Sequence, residues 1–181
     1  MTCIVGLVDK ESGKVFIGAD SLTANDYGLA QVNLYPKLAF NGDFLIGCAG
    51  SARVAEIMHH VFEPPTFSFE SDNIDQYMVK SFVPAMQECI DKANAKEEHK
   101  ESGSCVLIGL KGRLFCIKSK YTVEEPSCGY EAIGSSGEVA LGVLWATRDR
   151  DIPPDWRVEL ALKASAEHNA FVRDPFLIKS I

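Results

Sequence analysis

Thr2 stands directly behind Met1 and heads the apolar run Thr2-Cys3-Ile4-Val5-Gly6-Leu7-Val8. A small residue in second place favours removal of the initiator methionine. Removal leaves a hydroxyl and a free α-amine on one residue, and that amine can serve as base to its own nucleophile. Many ordinary chains also begin Met-Thr, so the weight of Thr2 depends on its company. A threonine hydroxyl attacks poorly unless positive charge beside it favours the deprotonated form. Lys37, between Tyr35-Pro36 and Leu38-Ala39-Phe40, is placed to be drawn inward, where its charge needs a carboxylate partner. Asp20, at the end of the run Val15-Phe16-Ile17-Gly18-Ala19-Asp20-Ser21, is the candidate for that partner. Gly50 lies where Leu45-Ile46-Gly47-Cys48-Ala49 gives way to a helical pattern, so its N–H could meet a developing oxyanion unobstructed. Without Thr2, Asp20-Ser21 would read as a turn start and Lys37 as a solvated charge.

The order and intervals of these pieces, with Ala132-Ile133-Gly134-Ser135 ahead of a later helix, resemble the proteasome β-subunit superfamily of N-terminal-nucleophile hydrolases. The pattern is nearest to the bacterial HslV-type peptidase and spans nearly the whole chain. The resemblance implies that Thr2 is the nucleophile, Asp20 and Lys37 its charged partners, Gly50 the oxyanion donor and Ser135 a hydrogen-bonding neighbour of the amine. It also implies a substrate pocket lined by Thr23, Leu34, Cys48 and Ala52, favouring apolar side chains. Proteasome-type subunits carry an aspartate and a serine near the last strand, where this sequence aligns Asn169 and Val172; HslV-type subunits also lack that aspartate. No cofactor is implied. The implied partners are polypeptide substrate, further copies of the chain in a homo-oligomeric ring, and an ATP-dependent unfoldase. A small-molecule amidase of the same superfamily and a non-catalytic assembly subunit are the other readings.

Apolar alternation predicts strands near residues 2–9, 14–21, 37–41 and 44–49, with turns at Ser12-Gly13 and Asn41-Gly42-Asp43. Helical spacing follows at Val54, Ile57, Met58 and Val61, and again at Ile74, Met78, Phe82, Met86, Cys89 and Ile90. Pro84 should kink that second helix or mark a first turn, and the charged stretch Lys92 to Glu101 reads as a loop. Strands near 105–110, 113–118 and 130–134 precede helices over Glu138 to Arg148 and Pro154 to His168, with Phe176-Leu177-Ile178 as a closing strand. This alternation suits one domain of two packed sheets with helices outside. The resemblance likewise implies a four-layer αββα sandwich, in class terms α+β.

The 181 residues, 46% hydrophobic and 24% charged, suffice for one domain with a substantial core. A net charge of −7 with no Lys/Arg block argues against nucleic acid. No apolar run is long enough to span a bilayer and no secretion signal is read, so the chain is expected in the cytoplasm. Cys3, Cys48, Cys89, Cys105, Cys116 and Cys128 lack C-x-x-C spacing and read as small apolar residues of a reducing compartment, not zinc ligands. His59 with Glu63 has the spacing of a metal pair, but adjacent His59 and His60 diverge by about 100° on a helix and no third ligand is near. No metal is expected. Gly134-Ser135-Ser136-Gly137 lacks the lysine of a P-loop and the spaced glycines of a dinucleotide fingerprint, and reads as a helix cap reaching the candidate site.

Overall fold

The computed structural model describes residues 2–24, 30–32, 34–67 and 73–181. Strand β1 (Cys3–Asp9) runs antiparallel to β2 (Lys14–Ala19) across the Ser12-Gly13 turn. A short hairpin, β3 (Leu22–Ala24) with β4 (Ala30–Val32), follows and was not expected from the sequence, because three-residue strands are too short to show alternation. Strands β5 (Leu38–Asn41) and β6 (Phe44–Ala49) turn at Gly42, and β6 runs into helix α1 (Ala52–His60). Helix α2 (Ile74–Tyr77) passes through a π-helical turn, Met78–Phe82, into α3 (Val83–Lys92). Pro84 explains that turn: it offers no N–H to the preceding carbonyls, and the wider winding absorbs the break.

The stretch expected as a loop holds helix α4 (Lys96–Glu101). Its surface charges pair at helical spacing, Lys100 with Glu97, while His99 is buried. Strands β7 (Cys105–Leu110), β8 (Arg113–Ile117), β9 (Val123–Glu124) and β10 (Tyr130–Gly134), helices α5 (Gly137–Ala146) and α6 (Pro154–His168), and β11 (Leu177–Ser180) complete the order.

The strands form a four-stranded sheet, β10-β1-β2-β11, and a five-stranded sheet, β5-β6-β7-β8-β9. Alternation along β1 shows how they stack. Ile4 points between the sheets, among Ile17, Leu38, Leu45, Leu107 and Leu114, while Cys3, Val5 and Leu7 point outward onto α5 and α6 with Leu144, Val158 and Leu162. On the other sheet Leu45 faces inward and Ile46 and Cys48 face α1 and α3, with Ile57, Met58, Phe82 and Met86. Three apolar seams between four layers make the αββα sandwich. The sheets approach closely: a Cβ on Gly47 would lie 2.8 Å from the Ile4 and Leu38 side chains.

Candidate active site

Thr2 leads into β1, and its carbonyl accepts the Ser135 backbone N–H at 2.6 Å. Such an approach requires glycine beside it: Gly134 has φ +87°, and a Cβ there would sit 2.0 Å from the Thr2 oxygen. The β10–α5 corner therefore seats the start of β1 by backbone alone. The Ser135 hydroxyl is not what makes this contact.

β2 ends at Ala19, one residue earlier than Asp20 and two short of the predicted limit, which frees Asp20 to turn inward. Asp20 is 1% exposed. Its Oδ1 accepts from the Cys3 N–H at 2.9 Å and from Lys37 Nζ at 2.8 Å, and its Oδ2 accepts from the Leu22 N–H at 3.1 Å. Lys37 Nζ also donates to the Leu22 carbonyl at 2.7 Å. One carboxylate thus joins the first amide of β1 to a half-buried ammonium, and Leu22, which no sequence pattern distinguished, supplies the second acceptor. Burial draws the Lys37 pKa below the ordinary lysine value, while the Asp20 charge and hydrogen bond act in the opposite sense.

Gly50 ends β6 with φ +113°, and Ser51 caps α1 by accepting the Val54 N–H at 3.2 Å. Thr2, Thr23, Lys37, Cys48, Gly50 and Ala52 line one cleft of about 620 Å³, with Leu22, Tyr35 and the α1 residues Glu56, His59 and His60. Four predicted catalytic residues, Thr2, Asp20, Lys37 and Gly50, and the Ser135 amide thus converge on the head of β1. Of the predicted pocket residues Thr23, Cys48 and Ala52 line the cleft; Leu34 does not, and its side chain is 90% exposed. Asn169 and Val172 stand elsewhere: Asn169 Oδ1 accepts the Phe171 N–H at 2.9 Å beyond α6, and Val172 is buried in the outer seam with Cys3.

The residue behind Thr2 is anchored by a contact that no motif signals. Cys3 Sγ donates to Ser165 Oγ at 3.6 Å, and that hydroxyl donates to the Ser136 carbonyl at 3.1 Å. Burial pushes the Cys3 thiol up to about 11, so it stays protonated as a donor. All six cysteines are free. Among the described residues no group of three or more His, Cys, Asp or Glu side chains is placed to hold a metal ion, and no helix is long and apolar enough to cross a membrane.

His59 gives the cleft an acid limit. Burial, then the neighbouring His60, lowers its pKa from 6.5 to about 4. The fold therefore favours neutral imidazole. Stability from this group is complete above pH 6.5 and falls as pH drops from 6.5 towards about 4, where only the unfolded chain gains the proton readily. His59→Gln should flatten that part of the stability profile, measured by urea unfolding at stepped pH. An unchanged slope would assign the acid sensitivity to other groups.

No protein-family model and no curated protein sequence matches the chain. Solved structures do. BPH from Thiobacillus denitrificans, in a complex with epoxomicin, superposes with a TM-score of 0.75 over 99% of this chain and 97% of its own, at 24% identity. HslV from Trypanosoma brucei gives 0.71 over 98% of each chain at 17% identity. Anbu from Yersinia bercovieri gives 0.68 over 99% of this chain and 81% of its own, at 16% identity. The chain has the fold of proteasome-type N-terminal-nucleophile hydrolases.

Proposed function

We propose that the chain is a threonine-type N-terminal-nucleophile peptidase that cleaves unfolded polypeptide, with Thr2 as nucleophile. The observation that carries this reading is the Asp20 carboxylate, bonded at once to the Cys3 amide and to Lys37, which draws the ammonium to the head of β1. Once Met1 is removed, the Thr2 amine takes the hydroxyl proton directly or through water. Its unperturbed pKa of about 8 suits a base near neutral pH. The oxygen attacks the peptide carbonyl, Lys37 favours the deprotonated oxygen, and the Gly50 N–H receives the oxyanion. The amine returns its proton to the leaving nitrogen, and water then releases the acyl group from Thr2. Asp20 keeps Lys37 charged against the pull of burial.

The resemblance to the proteasome β-subunit superfamily implies assembly of identical subunits into a ring, and a ring would leave delivery of folded proteins to an ATP-dependent unfoldase.

Met1 lies outside the described residues, so its fate is the first test. Intact mass and N-terminal sequencing of the active protein should show Thr2 as the first residue, and fluorogenic peptides should be cleaved. Full activity from molecules that keep Met1 would sink the mechanism. Hydrolysis of small amides but not peptides would move the assignment to an amidase.

A further inference from the structure

Gly50 can act as an oxyanion donor only if its N–H keeps one direction, and the chain is held on both sides of its Cα: Ala49 pairs with Cys105 before it, and Ser51 is gripped after it. The Ser51 N–H, next along the chain, donates to Ser104 Oγ at 3.0 Å. Ser104 is 1% exposed and packs so closely behind the corner that a Cβ on Gly50 would lie 2.6 Å from the Ser104 Cα and Oγ. The Ser104 hydroxyl is itself fixed, 2.6 Å from Ser102 Oγ, and the Ser104 N–H donates to the His99 carbonyl at 3.2 Å. A second arm comes from α4: Ser51 Oγ donates to Glu98 Oε1. Ser51 is thus gripped by its backbone through Ser104 and by its side chain through Glu98. Both arms belong to the segment 96–104, which lies outside the cleft lining.

We infer that Ser104, supported by Glu98, is a positioning residue that holds the Gly50–Ser51 corner in the orientation an oxyanion hole needs. With the Ser51 amide committed to Ser104, the donor role at this corner falls to Gly50. Gly50, at φ +113°, is where rotation would do most harm, since releasing Ser51 lets the chain turn about the Gly50 Cα and tilt the Ala49–Gly50 amide, with its N–H, away from the oxyanion. Ser104 touches neither substrate nor Thr2. Its effect passes through the orientation of one amide. This inference rests on the assignment of Thr2 and Gly50 above.

The test is steady-state kinetics on a fluorogenic peptide, with inhibition by the matching peptide aldehyde. The aldehyde forms a hemiacetal with Thr2 Oγ, placing its oxygen where the oxyanion would lie, and so reports the hole separately from ground-state binding. Losing an oxyanion donor outright costs about a hundredfold to a thousandfold in kcat, so a merely loosened donor should cost about tenfold to a hundredfold. Ser104→Ala should lower kcat by that factor, weaken the aldehyde in parallel and leave KM within about twofold. Ser104→Thr, which restores a hydroxyl, should recover part of the loss. Glu98 is exposed, so Glu98→Ala should fold normally and lower kcat several-fold by the same split. Unchanged kcat in both Ser104→Ala and Glu98→Ala, or a rise in KM alone, overturns the inference while the Thr2 mechanism stands. A wild-type protein that cleaves no peptide overturns both. If Ser104→Ala does not fold, the kcat and aldehyde affinity of Glu98→Ala decide alone.

Discussion

Thr2→Ala is expected to abolish peptide hydrolysis and leave the fold intact. On the proposed mechanism the side chain supplies the attacking oxygen, but the contact that seats the residue is its carbonyl, which accepts the Ser135 N–H and is unchanged by the substitution. Removing a covalent nucleophile leaves only the residual catalysis of the oxyanion hole and binding, a loss of about a millionfold in a well-characterised serine protease. Thr2→Ser keeps the hydroxyl and should retain measurable turnover. Thermal unfolding of all three proteins should coincide within a few degrees. Peptide hydrolysis by Thr2→Ala at even a hundredth of the wild-type rate would place the nucleophile elsewhere.

Lys37→Met should cost both activity and stability, and the two losses can be separated. The Lys37 and Asp20 side chains are 14% and 0% exposed. Removing one partner of such a pair strands the other, at a cost of about 3–5 kcal/mol for a fully buried case and less here because Lys37 keeps some water. Activity should fall about a hundredfold or more, as for other groups that stabilise charge at the reacting centre. The double variant Asp20→Asn/Lys37→Met removes both charges; the single Asn oxygen can still accept the Cys3 amide, while its NH2 group replaces the oxygen that accepted the Leu22 amide. It should regain part of the stability lost in Lys37→Met and none of the activity. A double variant as active as wild type would mean that Lys37 serves the fold and not the chemistry. Chemical denaturation and peptide kinetics on the same preparations decide between these outcomes.

What could be read from the sequence was what lies along the chain. The strands of β1, β2, β6 and β7 carry β-branched and apolar runs, and α6 begins on the second proline of Pro153-Pro154, so their limits were visible within a residue or two. The types and order of Thr2, Asp20, Lys37 and Gly50 pointed to one site before any geometry. What stayed hidden depends on side chains meeting across space. Helix α4 is built from Lys, Glu and a single buried His99, a composition that resembles a solvated loop until Tyr121 stacks on the imidazole at 4.7 Å. Ser104 and Glu98 carry no motif, since their function rests on where Ser51 falls. Leu34 was read from family position alone, and it stands in solvent beyond the cleft lining.

The neighbours of β1 also govern when the site can exist. On one side it pairs with β2 through a short turn, a local contact that forms early; on the other it pairs with β10, from the second half of the sequence. The Ser135 clamp on Thr2 belongs to that second pairing, and long-range closure of this kind is slow because the intervening chain must first surrender its freedom. Synthesis proceeds at about 5–20 residues per second, so the nascent chain spends several seconds with Thr2 already made and nothing yet to seat it. On the proposed mechanism the arrangement would work as a timer: hydrolytic competence would arrive with the closing of the sheet, after the chain's own unfolded segments have been folded away.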